Sequence, residues 1–133
     1  MGILSPEMSK QELNQLSSLA LAHVGDAVFE LMTRSMLCRQ GHSAVTQLHR
    51  LTVSHVNATA QARAAERIMG LLDADELAVY KRARNAHVHS VPHRATVGEY
   101  HAATGLEALF GWLYLQGKEK RLAELFAAVM EEN

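Results

Sequence analysis

A chain of 133 residues has room for one domain and not for two ordinary ones. With 48% apolar and 20% charged residues, a normal core under a normal surface is expected. A net charge of −1, histidines neutral, means that any nucleic-acid role must rest on local rather than global charge.

Residues 1–15 are polar and are expected to form a partly mobile N-terminal segment, with a short helical turn over 9–16. Residues 16–133 then form a single all-α domain. Ala and Leu are abundant, aromatics make up 5%, and the only prolines are Pro6 and Pro92. The spacing predicts one long helix over 18–40, with Val24, Val28, Leu31 and Met32 as its buried stripe and Gly41 as its stop. A shorter helix is expected over 44–51 and another over 53–69, ended by Gly70. Asp73 suits the N-cap of a helix reaching Asn85. Residues 86–96 contain Pro92, lack a period and read as a loop. The last helices are expected over 98–116 and 118–131. The single cysteine, Cys38, excludes an internal disulfide, fits a reducing cytosol and reads as a core residue. No basic-then-apolar leader opens the chain and no apolar run reaches about 18 residues, so a cytoplasmic protein without a membrane partner is expected.

Two segments carry chemistry. In residues 19–30 (LALAHVGDAVFE), a helical wheel sets Val24, Val28 and Leu31 on one face. Asp26 falls on the opposite side, near Ala22, Phe29 and Thr33. Gly25 beside it costs helix stability, about 1 kcal/mol relative to Ala, which implies close approach of another backbone. In residues 100–115 (YHAATGLEALFGWLYL), Leu106, Leu109, Phe110 and Leu113 have the spacing of a buried helix. Glu107 lies at the edge of that stripe, and Gly105 and Gly111 again permit close packing. Packed together, the two helices would bring Asp26 and Glu107 to one place. Paired carboxylates repel unless a cation holds them, and Mg²⁺ accepts one or two carboxylates while keeping waters for phosphates. From spacing alone, a helix cap, a surface ion pair or a buried hydrogen bond accounts for the same residues more readily.

The stretch HVGDAVFEL (23–31) closely resembles the RNase III signature, and TGLEALFGWLYL (104–115) resembles that family's second catalytic helix. With KRARNAHVHSVP (81–92) between them, nearly the whole chain resembles the Mini-RNase III subfamily. The resemblance implies an RNase III endonuclease-domain-like helical bundle, a homodimer and a Mg²⁺-dependent endoribonuclease (Mn²⁺ can substitute) acting on double-stranded RNA. It also implies Asp26 and Glu107 as catalytic and metal-holding residues, trimming of both ends of the 23S ribosomal RNA precursor, and a ribosomal protein that presents the RNA. It further implies a catalytic domain expected to stand without the separate double-stranded RNA-binding domain that ordinary members carry. The chain departs from the usual pattern twice: Ala22 stands where a Glu is usual four residues before Asp26, and Thr104 where an Asp is usual three residues before Glu107. Fewer anionic ligands then remain for a second metal, and Thr104 is left to act through a metal-bound water.

Between Leu77 and Gly98 there is no acidic residue. Lys81, Arg82, Arg84, Asn85, His87, His89 and Arg94 there are candidates for contacting RNA phosphates and sugars. The same cations would also stabilise a helix C-terminus. No aromatic cluster offers a platform for stacked single strands, in keeping with a duplex recognised by shape. The histidine spacing matches no zinc pattern. His23 is expected at a packing or dimer interface, and Glu30 as a helix-stabilising charge. A non-catalytic RNA-binding or ribosome-assembly protein on the same fold is the competing reading.

Overall fold

The computed structural model describes residues 4–86 and 95–130. Among them are seven α-helices and no strand: α1 (Lys10–Asn14), α2 (Ser18–Arg39), α3 (Val45–Val56), α4 (Ala58–Ile68), α5 (Ala74–Arg84), α6 (Val97–Leu115) and α7 (Glu119–Val129). The expected all-α architecture holds, and none of these helices is long and apolar enough to cross a membrane.

Local chemistry fixes the helix ends. Ser9 with Glu12, Asp73 with Glu76 and Thr96 with Glu99 form reciprocal capping boxes at the starts of α1, α5 and α6. Gly41 and Gly117 adopt positive φ (97° and 77°) just past α2 and α6. There His42 N–H bonds back to Leu37 O and Lys118 N–H to Leu113 O, closing each helix as an αL glycine allows.

The break between α3 and α4 falls at Asn57 and not near Thr52. Asn57 ends one helix and caps the next, accepting a hydrogen bond from Ala60 N–H while its amide donates to Val53 O and Ser54 O. The expected stop at 51–53 lacked a residue with this two-sided capacity.

Helix α6 is the axis of the fold, packed against α2, α4, α5 and α7. Its stripe of Leu106, Leu109, Phe110 and Leu113 is fully buried, as its spacing predicts. Phe29 of α2 meets Phe110 and Phe126 edge-on, with ring centroids 5.4 and 5.8 Å apart.

Helix α2 corrects two expectations. The side turned to the core carries Leu21, Ala22, Gly25, Phe29, Thr33 and Leu37, whereas Leu31 of the expected buried stripe is 61% exposed. The core takes this side because Gly25 there lets the α6 backbone approach. Cys38, expected in the core, is exposed because it follows Leu37 round to the outer side of the last turn. Glu30 pairs with Arg34 one turn on (2.7 Å), the expected helix-stabilising role.

Candidate active site

Two glycines decide where α2 and α6 cross. A Cβ on Gly25 would lie 1.5 Å from the Glu107 carbonyl oxygen, and one on Gly111 would lie 2.1 Å from the Leu21 carbonyl oxygen. The helices therefore touch backbone to backbone, which no residue with a side chain permits. A third close approach sits nearer the start of α6, where a Cβ on Gly105 would meet the Tyr80 ring of α5 at 2.7 Å.

This crossing sets Asp26, the neighbour of Gly25, against Glu107, whose own carbonyl forms the contact. The two carboxyls are within hydrogen-bonding reach of one another. Glu107 is largely buried, and its pKa is pushed up to about 8. Burial is the main cause; the hydrogen bond and charge of Asp26 add to it, and the side-chain amide of Gln61 on α4 opposes it. Asp26 itself is exposed, so the pair lies where the core opens to solvent. The Thr104 hydroxyl is buried one turn before Glu107 and donates to Tyr100 O at 3.0 Å, which leaves its oxygen lone pairs free to accept.

The chemistry of this set suits a hard divalent cation. Two carboxyls that repel when both ionised gain from a cation that holds them, and Mg²⁺ takes one or two carboxylates and completes its shell with water. No group of three or more His, Cys, Asp or Glu side chains able to hold a metal occurs among the described residues, consistent with the carboxylates absent at Ala22 and Thr104.

Of the expected RNA contacts, Lys81, Arg82 and Asn85 are exposed at the end of α5. Arg84 is half-buried over the Tyr80 ring, 5.7 Å from its centroid. Tyr80 is the residue packed on Gly105, so this basic end of α5 lies against the helix that carries Glu107. His87, His89 and Arg94 lie outside the described residues. His23 is exposed and lines an apolar groove with Val24, Val28, Leu31, Met32 and Leu122.

Sequence reasoning missed two features. One is Gln61, which looks like an ordinary polar residue on a helix until its burial is seen. The other is a second cationic surface: no Asp or Glu occurs from Leu31 to Ala65, and α3 and α4 expose Arg50 and Arg63 there. Charge asymmetry along the chain would have found it.

Residues 19–118 match the Ribonuclease III domain. The chain belongs to the ribonuclease III family. It is an endoribonuclease of that type. Mini-ribonuclease 3 of Symbiobacterium thermophilum is 42% identical over 116 residues, covering 87% of this chain and 89% of that protein. Mini-ribonuclease 3 of a Thermoanaerobacter species is 41% identical, over 94% and 90% of the two chains. A crystal structure of a Fusobacterium nucleatum protein shares the fold with a TM-score of 0.82 at 33% identity, covering 90% of this chain and 95% of that one.

Proposed function

We propose that this endoribonuclease hydrolyses phosphodiesters of double-stranded RNA with Mg²⁺, or Mn²⁺ in its place, at Asp26 and Glu107. The observation that carries the reading is the pair of carboxyls brought together by the Gly25–Gly111 crossing. A bound divalent cation supplies Lewis-acid activation of water and neutralises phosphate charge. Asp26 and Glu107 hold that cation from two helices whose backbones are in contact, so their relative position is fixed before RNA arrives. Thr104 offers its lone pairs to orient a water at the same place. Water oxygen attacks phosphorus in line, the bond to the 3′ oxygen breaks, and a 5′-phosphate and a 3′-hydroxyl result.

Lys81, Arg82, Arg84 and Asn85 neutralise and position the backbone of an A-form duplex, and His87, His89 and Arg94 extend this contact. Arg50 and Arg63 add a second phosphate-binding surface. A homodimer supplies two centres for the two strands, and the apolar groove beside His23 and the exposed Leu31 is its seam. The natural substrate is the 23S ribosomal RNA precursor at both ends, presented by a ribosomal protein in the cytoplasm.

The test is a long RNA duplex incubated with wild type and with Asp26→Asn, in Mg²⁺ and in EDTA. Wild type is expected to cut only with Mg²⁺, while Asp26→Asn binds the duplex and leaves it whole. Undiminished cleavage by Asp26→Asn would remove that residue from the mechanism.

A further inference from the structure

Gln61 stands in the core where an apolar residue belongs. Gln61, Ala64, Ala65 and Ile68 share the buried face of α4 at the i, i+3, i+4, i+7 spacing, and Gln61 is 2% exposed. Its amide nitrogen is buried without a hydrogen-bond partner among the described residues. A buried donor left unpaired costs stability, so a core position selected for packing alone would carry Leu or Met.

The helix that carries Gln61 packs against α6, the helix of Glu107. The amide lies close to the Glu107 carboxyl, outside hydrogen-bonding geometry to it. Its helix is also fixed. Asn57 caps α4 one turn before Gln61, and the Thr59 hydroxyl donates to Glu99 at 3.2 Å, tying the start of α4 to α6.

We propose that Gln61 is a positioning residue of the metal centre, its buried amide N–H donating to the Glu107 carboxylate that would hold a divalent cation. One carboxylate oxygen would then be left to hold the cation while the other accepts from Gln61, which would set the carboxylate plane. A buried amide on a third helix orients a metal-holding carboxylate without adding charge, as outer hydrogen-bond partners do elsewhere. The proposal rests on the metal-centre reading above.

The test compares wild type, Gln61→Met and Gln61→Glu by Mn²⁺ titration calorimetry and by thermal melting with and without Mn²⁺, on the full chain. Gln61→Met keeps the volume and removes the donor. It is expected to melt no lower than wild type without metal and to bind Mn²⁺ about 10-fold or more weakly. Gln61→Glu adds a third carboxyl and is expected to show a larger Mn²⁺-induced rise in melting temperature than wild type. This second variant decides the matter if the first does not fold. Mn²⁺ affinity of Gln61→Met within about 2-fold of wild type, or a Gln61→Glu melt indifferent to Mn²⁺, overturns the role of Gln61 and leaves the metal centre standing. A wild type that binds no Mn²⁺ overturns both.

Discussion

Glu76 and Glu107 are both acids drawn into the interior of this small bundle, and their surroundings are opposite. Glu76 is 2% exposed, accepts hydrogen bonds from Arg121 Nε and Nη2 at 2.8 Å each, and accepts a third from Asp73 N–H at 2.9 Å. Arg121 also donates to Leu71 O, so the pair stitches α7 to the start of α5. The Arg121 guanidinium holds the Glu76 carboxyl below the usual carboxylate range, against the opposing pull of burial. Glu107 has another acid where Glu76 has a guanidinium, and its pKa rises to about 8. The chain satisfies the first acid itself and leaves the second short of positive charge. Such a shortage destabilises the fold and favours cation binding, and strongly perturbed acids cluster at working sites for that reason.

The largest effect should come from breaking the unsatisfied side. Glu107→Gln keeps the shape and removes one ionisable group, so duplex cleavage is expected to fall by about 10³-fold or more. Metal-free melting at pH 8 should stay level or rise, because a repelling carboxyl has gone. Parallel kinetics and melts check this; a joint loss of activity and fold would make Glu107 a structural acid like Glu76.

Breaking the satisfied side should do the reverse. Arg121→Ala leaves a buried carboxylate without its guanidinium, and a loss of about 3–5 kcal/mol is expected. Urea denaturation measures it. Adding Glu76→Gln should recover part of the loss, while catalysis per folded molecule stays near wild type. No recovery would mean that Arg121 acts through Leu71 and Glu124 rather than through Glu76.

What the sequence disclosed divides along the same line. Gly25 and Gly111 announced a helix contact because each sits where glycine is costly, and the crossing that joins Asp26 to Glu107 was legible from them. Asp73 was legible as a cap, and the capping box it forms with Glu76 lies within four residues. The partner of Glu76 is 45 residues away, and nothing local points to Arg121. The stripe of Val24, Val28, Leu31 and Met32 held in part, Val28 and Met32 packing against the core and Leu31 lying exposed, because periodicity reveals an apolar face without saying what covers it. Gln61 stayed hidden for a related reason: polar residues on helices usually face water, and only the packed fold turns this one inward.

The smallest effect per step of pH is also the sharpest contrast, because the two acids should tilt stability with pH in opposite senses. Glu107 has a raised pKa in the folded state, so its contribution without metal is fully present below the unfolded value near 4.5 and is lost as pH rises through about 8. Glu76 has a lowered pKa, so its contribution is present above 4.5 and is lost as pH falls through its folded value. Each limb can slope by at most about 1.4 kcal/mol per pH unit for one proton. Denaturation of metal-free protein across pH should then show Glu107→Gln flattening the alkaline limb alone and Glu76→Gln flattening the acid limb alone. Saturating Mn²⁺ should flatten the alkaline limb of wild type as Glu107→Gln does, since a held cation replaces the proton that Glu107 otherwise keeps. An alkaline limb that persists unchanged in Mn²⁺ would separate Glu107 from the metal and leave Asp26 to hold it alone.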